Sequence, residues 1–134
     1  IDSGSSQTSM TFTEDIRGSA VDSAPDGDTD DPNENITYAL DSGNLERNGS
    51  VVAENISALH FEYLAQDGTT PVAPENAISV EITLVAQTGR SDPDYTNTFV
   101  YSNRLGTWQF DPNPNDGFHR RALSTLVNCR NIGL

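Results

Sequence analysis

The stretch Asn35–Leu84 decides the fold, and it reads NITYALDSGNLERNGSVVAENISALHFEYLAQDGTTPVAPENAISVEITL. Apolar residues occupy every second position in three runs: Ile36, Tyr38 and Leu40; Leu59, Phe61 and Tyr63; Ile78, Val80, Ile82 and Leu84. Successive side chains of a strand point to opposite faces, so this alternation is typical of half-buried strands. Three such runs joined by short turns predict an antiparallel sheet with one wet face, on which His60 and Glu62 would lie.

Tight turns separate these runs. The turn Asp41–Asn44 contains Gly43, which can take positive φ. Asn48-Gly49 is the strongest hairpin signal in the chain. The residues after it also fit one face of a helix, and we predict a helical turn over Ala53–Ser57 followed by a strand over Ala58–Leu64.

Further strands are predicted on both sides of this stretch. Ser9–Thr13 alternates, with Met10 and Phe12 pointing inward. Thr98–Tyr101 and Arg121–Arg130 are also strand-like, because β-branched and aromatic residues favour strands. One face of the predicted last strand carries Leu123, Thr125, Val127 and Cys129.

The length of the chain predicts one mostly-β domain over residues 1–134. Residues 1–8 are polar and are predicted to be a flexible lead-in. Residues 14–34 are acidic and contain few apolar side chains, so they cannot order themselves by hydrophobic burial alone. We predict a long acidic loop there, and such loops are usually functional or disordered.

The charge of the chain excludes two classes of partner. The net charge is −13, and the seven basic residues are all arginine. Nucleic-acid binding requires clustered positive charge, and so does attraction to anionic membrane surfaces. We therefore expect neither partner for this chain.

The acidic loop contains a candidate calcium site. Asp26, Asp28 and Asp30 stand at every second position, and Glu34 follows them. Calcium takes about six to eight oxygen ligands, and alternating carboxylates on a turning loop can converge on one point. The loop is not an EF-hand, because its sixth position is Asp31 rather than glycine. Two interpretations stay open, a calcium site formed by these four carboxylates and a solvated acidic loop.

No catalytic residue, cofactor site or enzyme activity is predicted. His60 and His119 lie far apart in sequence, and a zinc site needs several His or Cys at close spacing. Neither a Gly-x-Ser-x-Gly motif nor a glycine-rich phosphate loop occurs. Cys129 is the single cysteine, and we interpret it as a small packing residue of the last strand.

Four aromatic residues that lie close in sequence allow a second functional interpretation. They are Tyr95, Tyr101, Trp108 and Phe110. Flat rings can stack on the apolar faces of sugars, so an extracellular carbohydrate-binding module is one interpretation. Ordinary packing of the sheet is the other interpretation, and we favour it.

The order of several short segments carries a family resemblance. The segments are Tyr38-x-Leu40, Leu45-x-Arg47-Asn48-Gly49, Val52-Ala-Glu-Asn-Ile56, Leu59-x-Phe61-x-Tyr63, Val80-x-Ile82-x-Leu84 and an ending that runs from His119-Arg120-Arg121 to Gly133-Leu134. In this order they resemble the head domain of PilW-type minor pilins of type IV pili. The related J-type pseudopilins of type II secretion are similar. The resemblance extends from about Thr11 to Leu134.

The resemblance implies a non-enzymatic structural subunit that takes part in priming and assembly of a type IV pilus. In this family a long hydrophobic N-terminal helix anchors the head in the inner membrane, with the head in the periplasm, and later packs in the extracellular filament. Other minor pilins and the major pilin are the expected partners, through this helix and through head contacts. The polar start Ile1–Ser9 makes us expect that such a helix was removed from this fragment.

Two alternatives accompany the pilin interpretation. A type II secretion pseudopilin would have the same architecture in a different machine, and a carbohydrate-binding module would belong to a different functional class. A glycan array on the purified domain distinguishes a carbohydrate-binding module from an assembly subunit, because an assembly subunit should not bind sugars saturably. We expect the isolated head to be a monomer, because copies with a charge of −13 repel each other.

Overall fold

A computed structural model describes residues 1–15, 27, 34–111 and 115–129. The described residues are mostly β, as the sequence predicts, and the strands pair antiparallel. They form nine strands: β1 (Ser9–Thr13), β2 (Asn35–Asp41), β3 (Asn44–Arg47), β4 (Ser50–Ala53), β5 (Ile56–Leu64), β6 (Ser79–Gln87), β7 (Tyr101–Ser102), β8 (Gln109–Phe110) and β9 (Arg120–Asn128). A single 3₁₀ turn, Pro74–Asn76, precedes β6 in this part of the chain.

Sheet I contains four strands in the order β1-β2-β3-β4. Its two predicted turns form as expected, with positive φ at Ser42 (50°) and Gly43 (81°), and again at Asn48 (51°) and Gly49 (77°). Positive φ at both central residues matches the right-handed twist of the paired strands. The Asn48 side chain adds a hydrogen bond, because its Oδ1 accepts from Thr37 N at 2.7 Å.

Sheet II contains three strands in the order β5-β6-β9. Its register brings three leucines into one row across the sheet, because Leu59 pairs with Leu84 and Leu84 pairs with Leu123. The β6–β9 ladder runs from Ser79–Asn128 to Gln87–Arg120. β7 and β8 form a separate short hairpin, which is part of the long connection between β6 and β9.

The hydrophobic core lies between the two sheets. Its buried residues are Met10, Leu59, Phe61, Tyr63, Ala77 and Val80. Sheet I contributes Phe12, Tyr38, Leu40 and Leu45, which pack against this cluster. The inward prediction for Met10 and Phe12 is therefore confirmed.

Two predicted elements are wrong. There is no helical turn over Ala53–Ser57, because β4 ends at Ala53, Asn55 turns the chain with a φ of 59°, and β5 begins at Ile56. Of the predicted strand Thr98–Tyr101, only Tyr101 is in a strand. The side chain of Asn97 explains part of this difference, because its Oδ1 accepts a hydrogen bond from Phe99 N at 3.0 Å and holds the chain in a turn.

Residues 1–8, predicted to be a flexible lead-in, contact the body of the domain through several hydrogen bonds. Asp2 N donates to Thr11 O at 2.9 Å, and Gln7 O accepts from Phe61 N at 2.8 Å. The Tyr63 hydroxyl donates to Ser6 O at 2.7 Å, and burial raises the pKa of Tyr63 to about 12. This segment therefore follows the outer edges of β1 and β5.

Candidate functional site

The polar face of sheet II is less exposed than the sequence predicts. Alternation correctly separates the apolar from the polar side chains of β5 and β6, but the polar face is not wet. Among its residues, His60 is 1% exposed, Glu62 8% and Glu81 1%. The turn Asn103–Trp108, which joins β7 to β8, covers them. The wet-face prediction is therefore wrong along β5 and the facing part of β6.

We call the residues that meet under this turn the polar cluster: His60, Glu62, Glu81, Asn103, Arg104, Thr107 and Trp108. Glu62 Oε2 accepts a hydrogen bond from the Thr107 hydroxyl at 2.9 Å and lies 3.0 Å from His60 Nε2. The rings of His60 and Trp108 stack with centroids 4.8 Å apart. The turn is thus tied to β5 by a hydrogen bond and by a ring stack.

Glu81 ties the same turn to β6. Its Oε1 accepts from Arg104 N at 2.6 Å, and its Oε2 lies 3.4 Å from Arg104 Nε. Asn103 completes the turn, because its Oδ1 accepts from Trp108 N at 3.0 Å and its Nδ2 donates to the Thr107 hydroxyl at 2.8 Å. Glu62 Oε2 and Glu81 Oε1 thus have hydrogen-bond partners, whereas Glu81 Oε2 is buried with the Arg104 contact and no hydrogen bond among the described residues. The partners offset part of the desolvation cost of the two carboxylates.

The polar cluster contains acidic and imidazole groups but does not form a metal centre. Within the described residues, no group of three or more His, Cys, Asp or Glu side chains is placed to hold a metal ion. His60 Nδ1 is buried and has no hydrogen-bond partner there. The arrangement is suited to holding a loop on a sheet.

The apolar face of sheet II is covered by sheet I side chains at β5 and is exposed along most of β9. Along β9, Leu123 is 54% exposed and Val127 47%, although both point to the same side as the buried Phe61. We call this surface the open face, and its residues are Ile82, Leu84, Leu123, Thr125 and Val127. Contiguous apolar surface of this kind marks interaction sites in soluble domains.

Arg120 fastens the long connection to the start of β9. Its guanidinium donates two hydrogen bonds of 2.6 Å to Asp116, and it lies 5.6 Å from the ring centroids of both Phe110 and Phe118. The paired guanidinium lowers the pKa of Asp116 below its ordinary value. A further bond to Gln87 Oε1 at 3.0 Å ties the same group to β6.

Each of the four aromatic residues of the carbohydrate interpretation lies against another ring. The Tyr95 ring stacks on His119 with centroids 3.9 Å apart, and the Trp108 ring stacks on His60. Tyr101 and Phe110 are tilted against each other at 6.4 Å. Each ring therefore has a neighbour within the described residues, as the packing interpretation requires.

The predicted calcium residues Asp26, Asp28 and Asp30 lie outside the described residues. Glu34 is fully buried just before β2, and its backbone oxygen accepts from Glu14 N at 2.9 Å. Gly27, which is also described, donates its N–H to Asp15 Oδ2 at 2.9 Å. Calcium binding by the acidic loop stays a prediction.

Cys129 follows β9 directly and is half-buried against the core. Its N donates to Ile78 O at 2.8 Å. Burial raises the pKa of its thiol, which disfavours the reactive thiolate. These contacts agree with a packing residue.

The polar cluster was not predicted, although the sequence contains one signal for it. Alternation puts Glu62 and Glu81 on the polar sides of their strands, and in the structure the two residues stand directly opposite each other. Like charges at directly opposed positions are destabilising. Such a pair therefore indicates partners from elsewhere in the chain, here Arg104 and Thr107.

Comparison of the chain with protein-family models, with curated proteins and with solved structures finds no match. In the part of the chain that the structure describes, no helix has the length and apolar character to cross a membrane.

Proposed function

We propose that this chain is the head domain of a PilW-type minor pilin and takes part in assembly of a type IV pilus. The open face is the observation that carries the proposal. Leu123 and Val127 remain exposed beside a buried core, so the domain has an apolar surface that still needs a partner. The ordered resemblance of the segments in and around Asn35–Leu84 supplies the family.

The dimensions of the open face suit one packed helix. Neighbouring strands lie about 4.8 Å apart, so a strip over β6 and β9 is about 10 Å wide, which is the diameter of a helix. The nine residues of β9 extend over about 30 Å. A helix of about 20 residues has the same length. We propose that the N-terminal helix of the pilin packs there.

Two matched substitutions test this proposal in the native gene with its own upstream sequence. Val127→Asp places a charge on the open face, whereas Val52→Asp places the same charge on β4 of sheet I. The two valines are similarly exposed, at 47% and 53%. Each variant is expressed in a strain that lacks the gene, and the pili recovered by shearing are quantified.

We expect Val127→Asp to reduce recovered pili at least tenfold and Val52→Asp to leave them unchanged. The purified heads should differ in stability by less than about 1 kcal/mol, because both sites are exposed. Normal piliation with Val127→Asp would refute the proposal. Loss of type II secretion with normal pili would assign the head to a pseudopilin instead.

A further inference from the structure

The strand edges of this domain are not equally protected. Sheets generally block their edges, because a free edge can pair with another chain. β4 has four residues and lies beside a register shift at Leu45/Glu46. The edges of β1 and β5 are contacted by residues 2–7, through bonds to Thr11 and from Phe61. β9 has nine residues, and its ladder with β6 has no register shift.

The outer edge of β9, which we call its free edge, pairs with no strand among the described residues, and the backbone groups directed to it follow from the register. Thr88 N donates to His119 O, and Cys129 N donates to Ile78 O, so the odd-numbered residues of this strand bond to β6. In an antiparallel ladder the alternate residues point their N–H and C=O groups to the other side. The outward groups therefore belong to Ala122, Ser124 and Leu126, and to Arg120 and Asn128 at the ends.

The side chains along this edge offer little protection against pairing. Leu126 is 45% exposed on one face, and Leu123 and Val127 are exposed on the other. Strand β9 contains no proline and no acidic residue. Its two charges are near its start, and one of them, Arg120, is paired with Asp116. Natural edges normally carry central charges, prolines or bulges.

We propose that the free edge of β9 adds an extended strand from a partner protein of positive net charge. A row of alternating outward N–H and C=O groups is matched by the main chain of another strand. Alternate apolar residues on that strand would extend the row of Leu123 and Val127. The charge of −13 favours a basic partner and opposes a second copy of this chain.

The proposal is tested with synthetic strands on the purified domain. The probe is a fluorescein-labelled peptide of alternating valine and lysine, acetylated and amidated, that matches the nine residues of β9. A valine–glutamate peptide tests the charge. A valine–lysine peptide with alternate backbone nitrogens methylated keeps the charge but cannot form the ladder. Binding is measured by fluorescence anisotropy at physiological salt.

The protein variant is Ala122→Pro, which removes one outward N–H and leaves the bonds to β6 in place. We expect the valine–lysine peptide to bind the unmodified domain saturably. The methylated peptide and the valine–glutamate peptide should bind at least tenfold more weakly. The valine–lysine peptide should also bind Ala122→Pro at least tenfold more weakly. Hydrogen exchange is measured on the unmodified domain, so this test holds even where Ala122→Pro does not fold. The peptide should slow exchange at the amides of Ala122, Ser124 and Leu126.

Three results would overturn the proposal. Equal binding of the methylated peptide, or no added protection at the three amides, would mean that the peptide is attracted only to the acidic surface. Equal binding of the valine–glutamate peptide would refute the positive charge proposed for the partner. Self-association that Ala122→Pro abolishes, measured by sedimentation, would assign the edge to a second copy. The helix proposed for the open face is tested separately, because Val127→Asp leaves the β9 backbone intact.

Discussion

Strands β5 and β9 belong to one sheet, but polar side chains are buried on β5 whereas apolar side chains are exposed on β9. β5 carries His60 and Glu62, yet both of its faces are buried. β9 carries Leu123, Leu126 and Val127, yet most of its residues are exposed. The difference comes from what covers each strand, because sheet I and the Asn103–Trp108 turn both lie over β5. Position in the sheet, rather than polarity, therefore decides burial here.

The row of three leucines gives the sharpest measure of this difference. Leu59 is 3% exposed, Leu84 is half-buried, and Leu123 is 54% exposed. Leu59→Ala should cost about 2–5 kcal/mol of unfolding free energy, because it leaves a cavity. Leu123→Ala should cost less than about 1 kcal/mol, and Leu84→Ala should lie between them. Urea unfolding of the three variants measures the gradient. A cost at Leu123 equal to that at Leu59 would mean that β9 is already covered in this domain.

Glu81 holds the Asn103–Trp108 turn over β5 by accepting from Arg104 N, and replacing Glu81 tests this contact. Glu81→Ala removes the acceptor of Arg104 N and should destabilise the domain by about 1–3 kcal/mol. Trp108 is the single tryptophan, so its fluorescence reports on the turn. We expect its emission to shift to longer wavelength and to be quenched more readily by acrylamide. Glu54→Ala, at an exposed glutamate, is the control and should change neither quantity. Unchanged emission in Glu81→Ala would show that the turn is held by other contacts.

The stability of the domain should depend on pH through the ion pair of Arg120, whose side chain is buried at the start of β9. Hydrogen bonds from Arg120 hold the pKa of Asp116 below its ordinary value of 3.8. A depressed native pKa contributes stability that is present above the unfolded value and is lost as pH falls through the native value. Asp116→Asn should therefore be less stable than the native chain near neutral pH. The gap should narrow as pH falls below about 4. Urea unfolding across this range measures it, and a constant gap would contradict the role of this ion pair.

The smallest expected effect is on the alkylation rate of Cys129, whose thiol reports on the end of β9. Burial raises the pKa of its thiol, so little thiolate is present at neutral pH. Alkylation by iodoacetamide should be slower in the folded domain than in urea. The helix proposed for the open face, when it is packed there, should slow alkylation further. Equal rates in folded and unfolded protein would show that the thiol is accessible and that this end of the strand is frayed.

Local sequence patterns predicted the strands of Asn35–Leu84 well, because alternation and the Asn48-Gly49 turn act over a few residues. The predicted last strand, Arg121–Arg130, is confirmed as β9 at Arg120–Asn128. The burial of His60 and Glu62 could not be predicted from local patterns, because the turn that covers them lies about forty positions away in the sequence. Exposure of Leu123 was missed for the same reason, since alternation identifies a face but not its partner.

The length of the connection between β6 and β9, residues 88–119, has a consequence for folding. Strands β2, β3 and β4 of sheet I are joined by tight hairpins, and local pairings of this kind form before distant ones. We expect β9 to join the domain last, after its long loop has closed. Until then β6 would itself be the free edge, with Val80, Ile82 and Leu84 unprotected. A slow final step of this kind would make the partly folded chain prone to aggregation, so dilute refolding should give the higher yield.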